Sequence, residues 1–528
     1  MSAPVVDLPS PAAVPAGELA DALRRAGVDG VDDSPLRRSL YASDASLYRV
    51  EPRVVAAPRH VDEIDATLEV CRRLGVPLTM RGAGTSIAGN AVGPGVVLDT
   101  SRHLHRIIEI DAGTEGEGGT ALVEPGVVQS SLQVAAARHG LRFGPDPSTH
   151  NRATLGGMIG NNACGSRALG YGRTSDNVLG LDVVTGGGER LALGDVPGQT
   201  AASPALQRLR EIIDADLAVI RTELGRFGRQ VSGYSLEHLL PERGFDVARA
   251  LVGSEGTLAL TRLARVRLVR DSPVRVLVAL GYGSMAEAAD AVPAVLRHSP
   301  VACEGLDARI VDVVRERRGP SAVPELPRGS GWLMVELVGE HHDEVVAAGR
   351  RLVADAGALD SAVVTDAVHA AALWRIREDG AGLSGRTPAG DPAHSGWEDA
   401  AVPPERLGAY LREFDALMAS HRLTGLPYGH FGDGCLHIRI DFPLHRPGGT
   451  AAFRAFLLEA AALAARHGGS MSGEHGDGRA RGELLPLMYT PAAIGLFERV
   501  KAALDPQDLL NPGVIVRPAP LDADVRVA

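Results

Sequence analysis

Four cysteines in 528 residues, Cys71, Cys164, Cys303 and Cys435, stand far apart and form no C-x-x-C pair. That spacing argues against a disulfide scaffold, a zinc–thiolate site and an iron–sulfur cluster, and it fits a reducing cytosol. Long apolar runs are missing too: nothing approaches the ~18 consecutive apolar residues of a membrane span. The opening MSAPVVDLPSPAAVPAG has neither a basic region nor an apolar stretch, so export is not indicated either. Positive charge is short, 54 Lys and Arg against 65 Asp and Glu, for a net charge of −11 with no dense basic cluster. A nucleic-acid backbone would find no matching surface. Aromatic side chains, at 4%, are also few.

What is present is length, an ordinary globular balance and glycine. At about 150 residues per domain the chain has room for two to four domains, and 45% hydrophobic with 23% charged residues excludes long disorder. The 63 glycines are clustered. After residues 1–48, a Pro/Ala-rich leader and one helix over Gly17–Ala26 taken together as an N-terminal extension, the pattern alternates. A strand over Val54–Ala57 precedes a helix carrying Ile64, Leu68, Cys71 and Leu74 at helical spacing, closed by Gly75. A strand over Val76–Met80 leads through Arg81-Gly82-Ala83-Gly84-Thr85-Ser86 to another over Val96–Asp99. From Val274 the order is β-α-β-β-α-β, that of a ferredoxin-like layer. Asp379–Trp397 is expected to be a loop, followed by a helix over Pro404–His421, a hairpin around Gly432 and two further helices.

Backbone amides approach a pyrophosphate only where side chains are absent. Arg81–Ser86 meets that condition, but it is no Rossmann fingerprint, because Ile87 stands at the third glycine position and a strand follows instead of a helix. A second segment crowds small and amide side chains together: Pro145 to Thr149, Thr154-Leu155-Gly156-Gly157, Asn161-Asn162-Ala163-Cys164-Gly165-Ser166 and Gly170 to Thr174. It suits a long cofactor threaded along bare backbone. With Gly253-Ser254-Glu255-Gly256-Thr257, these motifs resemble the FAD-binding domain of the vanillyl-alcohol oxidase / p-cresol methylhydroxylase (PCMH) superfamily. The resemblance implies that Arg81, Gly82, Ala83, Gly84, Thr85 and Ser86 hold the pyrophosphate. Pro145, Thr149, Gly156, Gly157, Asn162 and Gly165 would line the flavin path, and Glu255 with Gly256 would close over the adenine-ribose side. No histidine stands in the first loop, so the FAD is expected to be noncovalent; Cys164 is better explained as a small buried residue than as a flavin linkage.

Gly429-His430-Phe431-Gly432-Asp433-Gly434-Cys435-Leu436-His437 is expected to form two strands around a four-residue loop, with His430 and His437 diagonal neighbours on one face. Gly473-Glu474-His475-Gly476 then sets a carboxylate and an imidazole in a glycine loop. Glu474 could complete a two-histidine, one-carboxylate metal site, leaving His475 free to act. A metallohydrolase would use the same ligand types, but H-E-x-x-H is absent and hydrolysis leaves the glycine segments unexplained. The two motifs resemble the C-terminal half of FAD-linked 2-hydroxyacid dehydrogenases, the D-lactate dehydrogenase, glycolate oxidase flavin subunit and D-2-hydroxyglutarate dehydrogenase group. By that resemblance His430, His437 and Glu474 bind a divalent metal (zinc, manganese or iron), His475 is the base, and Arg377 of Trp374-Arg375-Ile376-Arg377-Glu378 takes the substrate carboxylate. Asn511, in the closing Leu510-Asn511-Pro512-Gly513, would return to the flavin.

The expectation is therefore an α+β chain: a two-subdomain PCMH-type FAD-binding domain over 49–270, a ferredoxin-like α/β substrate domain over 271–465, and a C-terminal segment over 466–528 that carries the catalytic loop and returns to the FAD domain. The expected reaction is oxidation of a D-2-hydroxy acid, with electrons passed to a separate acceptor; direct use of O2 is the alternative. The stretch Ser395-Gly396-Trp397-Glu398-Asp399 carries acids where the 2-hydroxyglutarate enzymes add a basic residue for the second carboxylate, which speaks against simple transfer of that specificity. The motifs resemble most the flavin half of long bacterial proteins with a C-terminal iron–sulfur domain. An iron–sulfur protein or domain is thus the expected acceptor, at which a cytoplasmic chain could sit peripherally on a membrane, and a homodimer is left open.

Overall fold

In the computed structural model, which describes residues 14–114, 118–198, 202–383, 385–386, 390 and 392–526, three sheets build the α+β architecture. The smallest runs Val31–Asp32, Val54–Ala56, Val96–Asp99, Leu78–Arg81, with the last three strands parallel. Short, largely buried parallel strands need cover on both faces. Helix Asp62–Leu74, ended by Gly75 in the left-handed conformation, supplies one cover, and helix Ala16–Arg25 inserts Leu19, Ala20 and Leu23 into the same core. Residues 14–48 are thus no extension but part of this subdomain, because Leu19 and Leu23 form an i,i+4 stripe that must be buried.

The second sheet is antiparallel, in the order Ile107–Asp111, Gly119–Val123, Ala259–Arg270, Val178–Thr185, Arg190–Gly194, with Leu141–Phe143 pairing the end of the long central strand. The final helix, Pro491–Leu504, packs Leu496, Phe497 and Val500 into this core, and Leu510 bridges to Leu78 of the first sheet.

The third sheet has seven strands: Asp360–Val364, Val274–Tyr282, Gly331–Gly339, Ala302–Asp307, Gly425–Gly429, Cys435–Ile440, Ala400–Ala401, every neighbour antiparallel. Its first four are the expected ferredoxin-like set. Val276, Val278 and Leu280 face the layer of helices Met285–Leu296 and His342–Asp355, while Leu277 and Ala279 face helices Ala308–Arg318 and Ala367–Leu383. The histidine hairpin joins the same sheet, with Gly305 opposite Gly429 and Leu306 opposite Tyr428. Helix Ala367–Leu383 also runs into the stretch expected to be a loop from Asp379; residues 384, 387–389 and 391 of that stretch lie outside the described residues. No helix among the described residues is long and apolar enough to cross a membrane.

Candidate active site

One cavity of about 590 Å³ is lined both by the glycine segments and by the histidine cluster. Gly82, Ala83, Gly84, Thr85 and Ser86 line it, as do Thr149, Gly156 and Gly157 and, from the third motif, Glu255 and Gly256. A Cβ on Gly82 would stand 2.2 Å from Thr154 Oγ1, so the first two segments touch only because that side chain is missing. At Gly160, also in the lining, a Cβ would meet no atom within 4 Å, so the space it would enter is the cavity. A bare-backbone wall around this volume fits a long cofactor.

The remaining residues of the expected flavin path are not in that wall. The Arg81 guanidinium donates to the carbonyls of Tyr41, Ser43 and Ala91 and lies 5.0 Å from the Tyr41 ring centre, pinning the loop from behind. Pro145 gives its carbonyl to Gln129 Nε2. Asn162, buried at the left-handed end of helix Leu155–Asn161, accepts from the Ser175 amide. Asn511 Nδ2 donates to the carbonyls of Asn90 and Glu255, tying the C-terminal return to two cavity-lining segments. Gly165 reaches the other centre, since its amide donates to Glu474 Oε2 at 2.8 Å. Glu255 lines the cavity but also accepts from the amides of Asp477 and Gly478 and from Asn90 Nδ2.

At the histidine cluster, Glu474 Oε1 is the hub. It lies 3.0 Å from His430 Nε2, 3.2 Å from His437 Nε2 and 3.5 Å from His475 Nε2. The hairpin brings the first two together as expected, rings 4.9 Å apart and edge to face, and His475 stacks on His437 at 4.9 Å. The outer nitrogens are held: His430 Nδ1 donates to Glu304 Oε1 at 2.8 Å, and His475 Nδ1 donates to the Glu398 carbonyl at 3.1 Å. A carbonyl can only accept, so in the neutral ring His475 Nε2 carries the lone pair. The set fits a divalent cation, with inward Nε2 atoms, one carboxylate oxygen and outer-sphere acceptors on two of the rings.

Asp399, His437, Glu474 and His475 also bring ligand atoms within 4.8 Å of one another. Asp399 Oδ1, however, faces the opposite edge, 4.0 Å from His437 Nδ1 and 3.7 Å from His475 Nδ1. One ion cannot take both edges of one imidazole, so Asp399 would stand behind an ion held on the Nε2 edge beside Glu474. There its Oδ2 accepts from Ser472 Oγ and from three successive amides, Gly473, Glu474 and His475, which shapes the loop.

Charge follows from this geometry. Burial works against a charged His430, but Glu304 and Glu474 outweigh it and lift its pKa to about 9. For His437 burial prevails, and the neighbouring imidazoles help to lower it to about 4. Burial would raise the Glu474 carboxyl, yet His430 and the other imidazoles hold it well below the usual range. His475 has 26% of its side chain exposed against 5% for His430 and His437, making it the imidazole open to a ligand.

Arg377, on helix Ala367–Leu383, lines the cavity, donates through Nε to Glu304 Oε2 at 2.7 Å and leaves its buried Nη2 without a partner among the described residues. Arg375, two residues before it, is exposed. The matching families fit these positions. Residues 52–194 match an FAD binding domain, and residues 272–515 match the C-terminal domain of FAD linked oxidases. A D-lactate dehydrogenase of Archaeoglobus fulgidus is 31% identical, over 90% of this chain and 95% of its own. The chain belongs to the FAD-linked oxidoreductases of the 2-hydroxyacid dehydrogenase group. D-2-hydroxyglutarate dehydrogenase of Escherichia coli K12 is 32% identical over 92% of this chain, which spans 50% of that relative's length. The solved p-cresol methylhydroxylase shares the fold, with a TM-score of 0.68, 15% identity, and coverage of 95% of this chain and 96% of that one. FAD is the cofactor of this group, and the glycine-lined cavity fits it.

Sequence reasoning missed several residues of this FAD-linked site. Glu304, Asp399 and Arg229 act across long sequence separations and carry no local motif. Arg439 could have been found: it stands two residues after His437 on one strand, hence on the same face, and it lines the cavity with Nε 3.3 Å from Glu398 Oε2.

Proposed function

We propose that the chain oxidises a D-2-hydroxy acid to the 2-oxo acid, with His430, His437 and Glu474 holding a divalent metal, His475 as base and Arg377 binding the carboxylate. The observation that carries this reading is the single cavity shared by the cofactor wall, the imidazole–carboxylate cluster and the free Nη2 of Arg377. FAD bound in the cavity would supply the acceptor for the hydride of the hydroxyl-bearing carbon, and a divalent ion held by His430, His437 and Glu474 would supply a Lewis acid for the hydroxyl. His475 Nε2 takes the hydroxyl proton, and the resulting imidazolium is favoured by Asp399 Oδ1 at 3.7 Å and Glu474 Oε1 at 3.5 Å. Arg377 offers the substrate carboxylate a charge-assisted hydrogen bond from a side chain that Glu304 already fixes.

A dicarboxylate is the substrate this site favours. Asp399 is turned to the loop amides and Glu398 is beside Arg439, so neither acid opposes a second carboxylate as a free charge. Arg439 stands on the same face of its strand as His437 and lines the cavity with Arg377, so it would take the second carboxylate of an acid whose first is held by Arg377. D-2-hydroxyglutarate is then the first candidate, consistent with the relatives of that name. Electrons would leave to a separate acceptor, for which an iron–sulfur protein is our choice.

The test is an anaerobic titration of the metal-replete flavoprotein with D-2-hydroxyglutarate, D-malate, D-lactate and glycolate. Bleaching of the flavin band by the five-carbon acid at the lowest concentration is expected. A yellow protein bleached by none of them sinks the reading, and peroxide release in air would show that O2 is the acceptor.

A further inference from the structure

We infer that Arg229 is a positioning residue for the metal carboxylate, holding Glu474 by one oxygen so that the other alone meets the ion; this rests on the metal reading above. Arg229 is 1% exposed, and a buried guanidinium is costly unless each partner is well placed. Its Nη1 donates to Glu474 Oε2 at 3.1 Å, and its Nη2 donates to Asp433 Oδ2 at 3.0 Å and to the Gly165 carbonyl at 3.1 Å. The Gly165 amide returns to the same Glu474 Oε2 at 2.8 Å. Oε2 therefore faces two donors and Oε1 faces three imidazole nitrogens, so the carboxylate is divided between a clamp and a ligand.

The placement of the partners gives the clamp a second effect. Asp433 lies in the turn between His430 and His437, so one cation reaches both ligand-bearing segments, the hairpin and the glycine loop. Gly165 adjoins Ser166, which lines the cavity. Arg229 thereby fixes the distance from the metal ligands to the cofactor wall. Outer-sphere partners of metal ligands typically change affinity by about 10–100-fold when removed.

The experiment uses the full chain with FAD bound and Mn2+ as the probe, its affinity measured by competition with a chelator. R229Q is expected to bind Mn2+ about 10–100-fold more weakly than wild type at unchanged FAD content, with R229K intermediate. If both variants bind Mn2+ as tightly as wild type while only their thermal stability falls, Arg229 merely supports the fold and the inference is overturned. Should R229Q fail to fold, R229K and a crystal structure of the Mn2+-loaded wild type decide: Oε1 alone on the ion supports the clamp, and coordination through Oε2 overturns it. A wild type that takes up no Mn2+ or Zn2+ removes the metal reading and the inference together, whereas unchanged variants remove the inference alone.

Discussion

Glu304 shows how a residue with no motif of its own can govern two that have one. One oxygen accepts from Arg377 and the other from His430, and burial on the sheet leaves it fully enclosed. Both side chains are thus oriented before any substrate arrives, which lowers the cost of binding. Replacing Arg377 by Lys keeps the charge but loses the planar fork; kcat/KM is expected to fall on the order of 10–100-fold, about 1.5–3 kcal/mol for a hydrogen bond to a charged group. The decline should lie in KM and in the half-reaction Kd, with the flavin spectrum unaltered. Far from the site, burial of His238, helped by the charges of Arg249, Arg173 and Arg243, lowers its pKa to about 3. The unfolded chain therefore takes up a proton near pH 6.5 that the folded chain refuses, and stability is lost as the pH falls below that value. At pH 5 the loss from this group is about 2 kcal/mol. Melting curves between pH 7 and 5 should show it, and H238Q should flatten the slope.

Among elements, the glycine loop after Ser472 is shaped by a single acceptor. Asp399 gathers Ser472 Oγ and the amides of Gly473, Glu474 and His475, successive N–H groups that form an anion nest filled by the protein's own carboxylate. D399N would keep the shape but lose half the acceptor capacity and the charge. Turnover is expected to fall at least about tenfold, with FAD retained, and a variant with wild-type kcat would contradict the role given to this loop. Much of the element order was legible in the sequence. The ferredoxin-like set follows from alternating apolar strands and amphipathic helices, and the histidine pair follows from hairpin geometry, since both residues lie within eight positions of each other. The attachment of that hairpin to strand Ala302–Asp307 was not legible, because the sheet edge it occupies is chosen by long-range packing. Glu304 and Asp399 escaped for the same reason. Arg81 and Asn511 were legible as residues of their segments but not as structural ties, since a hydrogen-bonding side chain in a glycine loop can face either the cofactor or the backbone behind it.

At the scale of the whole molecule, the far end of the chain straps the beginning. Tyr48 Oη donates to the Leu521 carbonyl at 2.7 Å, the Arg526 amide donates to the Leu47 carbonyl, and Leu521 is fully buried. Deleting the residues after Ala519 removes one buried leucine and several hydrogen bonds, for a loss of about 3 kcal/mol, read as a lower melting temperature and faster proteolysis at the segment around Tyr48. Chelation acts at the same scale. If the cluster holds a metal, a strong chelator should both abolish turnover and lower the melting temperature, with divalent ion restoring both.

The crossing ties have a meaning for protein engineering and for descent. Arg229 and Gly165 come from the first half of the chain, their partners Asp433 and Glu474 from the second, and Glu255 likewise holds the amides of Asp477 and Gly478 across the same divide. A chimera joined anywhere between residues 256 and 432 would inherit a complete set of histidines from one parent and the grip on its carboxylate from another. The two halves are therefore not interchangeable cassettes, and a grafted substrate half should work only when these few cross-boundary residues travel as matched sets.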